Sequence, residues 1–229
     1  IQLRPNNNHI ISLNAGIQNE APLARNSFVA PRIQNNFVDH LTSEKIYSTE
    51  LAYRFRIGDV TAKVAGYYTL FTDGVEQTAF YNDQENRFTY LTMSGIRREH
   101  MGVEAALKWD ITSNLSFNVL GTLSDARYTN NPLAQVNYEG MNAGTIAELN
   151  PVTGEYRPLR VRAKGMRTNG TPLTALSFGL NYNINGWFFE INANYYDRIY
   201  LDYSEYRRLG NIVTASTNSG ESWAVVSTE

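Results

Sequence analysis

Leu176-Ser177-Phe178-Gly179-Leu180-Asn181-Tyr182-Asn183-Ile184-Asn185-Gly186-Trp187-Phe188-Phe189-Glu190-Ile191-Asn192-Ala193-Asn194-Tyr195 reads as two strands joined by a two-residue turn. In the first half, Leu176, Phe178, Leu180, Tyr182 and Ile184 alternate with Ser177, Gly179, Asn181 and Asn183. Asn185-Gly186 suits a tight hairpin, since both residues tolerate positive φ. Trp187, Phe189, Ile191, Ala193 and Tyr195 then carry the pattern back. A period of two places the apolar residues on one face of a sheet and the polar residues on the other. The fold class depends on which face meets water.

The same alternation recurs outward from this hairpin. It runs through Ile11, Leu13, Ala15 and Ile17, then Leu51, Tyr53, Phe55 and Ile57, then Ala62, Val64, Gly66, Tyr68 and Leu70. Val103, Ala105, Leu107 and Trp109 end a long strand from about Phe88, and Leu115, Phe117, Val119, Gly121 and Leu123 follow. Short turns are expected at Asn6 to His9, Gly58-Asp59, Asp110 to Asn114 and Asn185-Gly186. Long polar loops are expected at about 19–44, 74–87 and 129–172, with a fourth beginning near Tyr203. Seven up-and-down strands result, with short joints at one end and long joints at the other.

Loops beyond about 15 residues are uncommon in compact soluble domains. Outer-membrane barrels, by contrast, pair short periplasmic turns with long extracellular loops and alternate apolar-out with polar-in. Tyr53, Phe55, Trp109, Tyr182 and Trp187 lie within a few residues of the short turns, where an interfacial aromatic girdle belongs. Arg54, Arg56, Lys63, Glu104, Lys108, Asn118, Asn181, Glu190, Asn192 and Asn194 share the other face and suit a hydrated lumen. The competing reading makes that face the solvated side of a soluble β-sheet binding module, or of a surface adhesin barrel. The expected class is all-β, an antiparallel up-and-down transmembrane β-barrel. Leu176, Phe178, Leu180 and Ile184 should face lipid, while Ser177, Asn181 and Asn183 face the lumen.

Seven strands leave two open edges, which hydrocarbon does not tolerate, so the expectation is one part of a larger barrel. Residues 1–229 should form part of a single barrel domain. The start, Ile1-Gln2-Leu3-Arg4-Pro5, lacks the basic and apolar regions of a signal peptide, which implies a removed leader or a fragment. Net charge is −2 and apolar residues make up 42%, with no run long enough for a membrane helix. That charge balance gives no reason to invoke nucleic acid. The absence of cysteine excludes disulfides and thiolate metal sites.

Several stretches resemble the TonB-dependent outer-membrane transporters. Gly66-Tyr67-Tyr68-Thr69-Leu70-Phe71-Thr72-Asp73-Gly74 is similar to one of their strands, and Gly95 through Glu104, ending His100-Met101-Gly102-Val103-Glu104, to another. Asn114 to Asn118 resembles the return strand. Ala21 through Arg32 (APLARNSFVAPR) resembles a loop of one plug-linked subfamily, as does Asn194-Tyr195-Tyr196-Asp197-Arg198 with Arg207-Arg208. The resemblance implies a barrel of about 22 strands, a plug domain and a TonB-contacting segment, the latter two absent from this sequence. It also implies integral residence in the bacterial outer membrane, amid its lipids and lipopolysaccharide, and active uptake of a siderophore, cobalamin, glycan or peptide. A surface lipoprotein partner is compatible with it. The stop at Ser227-Thr228-Glu229 would then fall inside a loop.

No catalytic signature stands out: His9, His40 and His100 are the only histidines, and GxSxG, HExxH and P-loop motifs are absent. No enzyme activity and no cofactor are expected. Two loop segments are candidate substrate contacts. Arg157, Arg160 and Arg162, with Lys164 and Arg167, form a run with no acid among them, able to pair with phosphate or carboxylate. The same run could equally meet lipopolysaccharide or simply be solvated. Arg25, Asn26 and Arg32 flank Phe28 and Val29 in a loop stiffened by Pro22 and Pro31. That loop is expected to fold inward and line the substrate path, the alternative being a structural loop over the rim.

Overall fold

The computed structural model describes residues 1–32, 34–140, 144–149, 153–168 and 170–210. The expectation about Ser227-Thr228-Glu229 lies outside the described residues. One antiparallel sheet dominates. Its strands are β1 (Gln2–Asn6), β2 (His9–Glu20), β3 (Glu44–Ile57), β4 (Val60–Asn82), β5 (Arg87–Asp110), β6 (Leu115–Tyr128), β10 (Thr174–Ile184) and β11 (Trp187–Asp197). They stand in the order β1-β2-β3-β4-β5-β6-β10-β11, and β7 (Leu133–Tyr138) pairs with the upper half of β5. A separate ribbon joins β8 (Ala147–Leu149) to β9 (Tyr156–Pro158). Among the described residues β1 and β11 are the two edges and do not meet, so the sheet is a partial barrel wall.

Register proves the sidedness. Residues directly opposite across a ladder share a face. Ile191, Leu180, Phe117, Trp109, Val60 and Ile57 form one row through β11, β10, β6, β5, β4 and β3. A higher row is Ala193, Phe178, Val119, Leu107, Ala62 and Phe55. Both rows are apolar throughout. The interleaved row Asn192, Gly179, Asn118, Lys108, Thr61 and Arg56 lies on the opposite face. All four short turns fall at one end. Asn185 and Gly186 both take positive φ, 48° and 83°, the requirement of a twist-matched two-residue hairpin.

The apolar face is largely uncovered: Leu180 is 40% exposed and Ile191 69%. A water-soluble protein rarely leaves so wide a continuous apolar surface open. The packed core lies elsewhere, beyond the end of the wall that carries the long joints. There Leu91, Met93, Ile96, Tyr128, Ala134, Val136, Leu159, Val161, Ala163 and Leu209 bury one another.

Gly102 illustrates how local sequence serves the wall. Tyr67 faces it across the ladder, and a Cβ on Gly102 would lie 2.9 Å from the Tyr67 ring and 2.8 Å from the Leu123 carbonyl oxygen. The ring covers the gap that glycine leaves, a pairing that pins register.

Three expectations need correction. The sheet contains all seven expected strands, but Gln2–Asn6 adds another before the Asn7-Asn8 turn. The second loop is not a loop over 74–87: β4 continues to Asn82, β5 begins at Arg87, and only residues 83–86 turn. Asp73-Gly74, at the expected start of that loop, is a bulge that shifts register between Phe71 and Glu76, with Asp73 at φ 63° and Gly95 opposite at 66°. The third loop is structured as well, since it holds β7, β8 and β9.

A rim cavity over a two-faced hairpin

The upward extension of β4 and β5 is two-sided, like the wall below it. Leu91 and Met93 stand opposite Val136 and Ala134 of β7 and belong to the buried cluster. Thr92 stands opposite Gln77 on one side and Gln135 on the other, on the reverse face. The cluster side is continuous with the polar face of the wall through Arg98. That guanidinium bonds Glu76 Oε1 at 2.6 Å and Glu44 Oε1 at 3.3 Å, and lies 5.6 Å from the centre of the Phe71 ring. The Tyr128 hydroxyl donates to Glu76 at 3.3 Å. Burial, then the Glu76 charge, pushes that hydroxyl up to about 12. The set ties β3, β4, β5 and β6 together beneath the rim.

The chain after β11 closes the cluster from above. Leu209 pairs with Val161, Arg162 N–H donates to Arg208 O at 2.8 Å, and Tyr138 and Tyr206 share a hydroxyl contact at 3.2 Å.

The Arg25–Arg32 loop packs against the reverse face. Asn26 Nδ2 donates to Val75 O at 3.1 Å, Gln77 Nε2 donates to Phe28 O at 2.6 Å and Val29 O at 3.0 Å, and Thr92 Oγ1 donates to Val29 O at 3.4 Å. Val29, Ala30 and Val38 are buried there, and Phe28 stacks on Phe37 at 5.0 Å. Thus Asn26 spends its amide on holding the loop, whereas Arg25 and Arg32 are exposed.

The arginine run is likewise divided. Leu159, Val161 and Ala163 are essentially inaccessible, and Arg160, Arg162 and Lys164 are the residues between them. The basic run is the outer half of an alternation whose inner half is core. Arg160 Nη1 donates to Asn131 O at 2.8 Å. Arg157, on β9, instead faces a cavity of about 340 Å³ between the first and third loops.

This cavity gathers Asp39 and His40 from the first loop, Thr92 and Ser94 from β5, Gln135 from β7, and Tyr156 with Arg157 from β9. His40 sits at φ 57°, left-handed backbone that aims the segment back over the rim. Gln135 Oε1 is buried with no hydrogen-bond partner among the described residues. An acceptor so placed costs free energy until a donor reaches it. Exposed Tyr156 and Ile146 supply apolar surface at the mouth. Such a site can hold a ligand through hydrogen bonds, charge and an aromatic plate. Among the described residues no three His, Cys, Asp or Glu side chains cluster. Sequence reading found Arg157 and missed the rest of the ring, whose members lie on four separated segments.

A two-faced partial wall with short turns at one end and long joints at the other is the pattern of an outer-membrane barrel, and the family profile described as TonB dependent receptor-like, beta-barrel, matches residues 4–226. The chain belongs to that family. Members of the TonB-dependent receptor family are outer-membrane transporters rather than enzymes, so the apolar face of this wall is the lipid-facing side. Comparison with curated proteins and with solved structures finds no match.

Proposed function

We propose that this receptor barrel takes part in active uptake of one nutrient, captured first in the rim cavity between the Val38–His40 segment and β7 and β9. The observation that carries the reading is the unpaired Gln135 acceptor beside Arg157 and Asp39 in a cavity above a family transport wall. A ligand offering hydroxyl or amide donors to Gln135, and negative charge beside Arg157, suits that ring. Glycans, peptides and chelates all carry such groups. Exposed Arg25 and Arg32, with half-buried Arg162, supply the field that draws an anionic or polar ligand to the rim, while Asn26 and Arg160 hold the loops that shape it. Energy reaches the barrel from the TonB complex through a plug segment outside this chain. Outer-membrane lipids and lipopolysaccharide surround the wall, and a surface lipoprotein could add a lid.

Growth of a deletion strain on iron chelates, cobalamin, glycans and peptides identifies the nutrient. With it in hand, Arg157→Ala is expected to raise the half-saturating concentration about tenfold, the loss of about 1.4 kcal/mol of binding, at unchanged surface display. Unchanged uptake by both Arg157→Ala and Tyr156→Ala would sink the rim-capture reading.

A further inference from the structure

A second feature lies well below the rim, on the polar face of the wall. Arg54 of β3 stands directly opposite Lys63 of β4. One row nearer the turns, Arg56 stands opposite Thr61, and Thr61 opposite Lys108. Like charges placed directly across a ladder repel, and such pairs are disfavoured unless something neutralises them. Only Lys108 has a carboxylate, Asp110 at 3.1 Å. Glu104 is the nearest other acid on this face, one row above Lys63, and makes no ion pair with it. Among the described residues, Arg54, Arg56 and Lys63 have no carboxylate within ion-pair distance.

Three of these cations, Arg54, Lys63 and Lys108, border a recess of about 490 Å³. Its polar lining is Arg54, Lys63, Lys108, Asn118, Ser177 and Asn192, and apolar Leu120 stands among them, directly between Ala106 and Ser177. Every one of those polar side chains can donate a hydrogen bond. The side chains of Arg54, Lys63, Asn118 and Ser177 have no hydrogen-bond partner among the described residues. Lys108 and Asn192 are engaged by Asp110 and Glu190, whereas the unpaired donors and uncompensated charge of Arg54 and Lys63, with Asn118 and Ser177, are complementary to an oxyanion.

We propose that this recess is a wall subsite for an anionic group, carboxylate or phosphate, of the transported solute. The proposal rests on the reading of the polar face as the wall of an uptake lumen, and it adds a charge class to the cargo. Arg54 offers a planar fork to two oxygens, Lys63 and Lys108 supply point charge, and Asn118 and Ser177 fill the remaining acceptor sites. The occupied subsite removes the Arg54–Lys63 repulsion, so binding and wall stability are linked.

The test uses the complete purified receptor in a zwitterionic detergent at low ionic strength, titrated calorimetrically with citrate and, separately, with inorganic phosphate; glucose is the neutral control. Saturable binding of at least one anion and none of glucose is expected. Arg54→Gln with Lys63→Gln should weaken it at least tenfold, while Glu104→Gln should strengthen it two- to threefold. Heat-modifiable migration verifies that each variant is folded. Equal anion binding by the parent and the double variant overturns the proposal. So does absence of binding by the parent; a lower melting temperature of the double variant would then assign the patch to a carboxylate within the receptor itself. Binding to purified protein needs no uptake, so its failure is distinct from failure of a deletion strain to lose growth on any nutrient.

Discussion

Exchanging Leu180 for arginine, and separately its neighbour Asn181, tests the sidedness of the wall at a single point. Leu180 precedes Ile184, the last residue of β10, by four positions. At about 3.4 Å per residue and a tilt near 40°, it sits about 10 Å above the turn row, close to the middle of an apolar band about 25 Å tall. Its row partners are Ile191 and Phe117, both apolar. Arginine near the midplane on the lipid side costs about 2–3 kcal/mol. The folded-to-unfolded ratio should therefore fall about 30- to 150-fold. At Asn181 the register partners are Glu190 and Ser116, on the polar face. Arginine there gains a carboxylate neighbour and should shift stability by no more than about 0.5 kcal/mol. The assay is guanidinium unfolding of the complete receptor in lipid vesicles, with the folded fraction read by heat-modifiable migration. Equal losses at the two positions, or a larger loss at Asn181, would refute the assignment of faces.

The rim should respond by burial rather than by charge: Leu209→Ala removes a side chain that is 2% exposed and is expected to cost about 2–4 kcal/mol of local stability. Arg162→Ala should fall within about 0.5 kcal/mol of the parent; trypsin cleavage rates of the third loop compare the two. Glu205 tests the pH response of the segment after β11. Burial, reinforced by Asp202 and Glu76, raises its carboxyl above the ordinary 4.5 and outweighs a backbone hydrogen bond that lowers it. Stability linked to that proton is thus fully present below the ordinary value and is lost as pH rises through the folded one. Hydrogen exchange at Tyr203 to Leu209 should be faster at pH 7 than at pH 4 beyond the intrinsic rate change, and Glu205→Gln should abolish the difference.

The wall was legible because its two solvents are opposites. Lipid on one side and water on the other force a strict period of two, and Leu176 to Tyr195 display it without interruption. The rim obeys a different rule. Its core forms in water from segments far apart in the chain, so Val136, Val161 and Leu209 carry no shared local signal. Leu159-Arg160-Val161-Arg162-Ala163 does alternate, but its charged members are the conspicuous ones and drew the functional reading to themselves. The loop expected from about Gly74 is a strand for a related reason: glycine marks bulges as readily as loops, and only the partner strand distinguishes them. Of the candidate site, Arg157 was legible as charge. Gln135 and His40 were not, because a neutral amide and an isolated histidine acquire meaning only from the loop that folds against them.

β5 runs unbroken from Arg87 to Asp110, and its two halves serve different environments. One half is a stave in the wall; the other is the floor on which the rim core and the rim cavity are laid. The bulge at Gly95, opposite Asp73-Gly74, is the joint between them. Any rearrangement of the rim on ligand capture has two mechanical outcomes. It flexes that joint and leaves the wall still, or it drives the strand as a push-rod and carries the signal toward the periplasmic side.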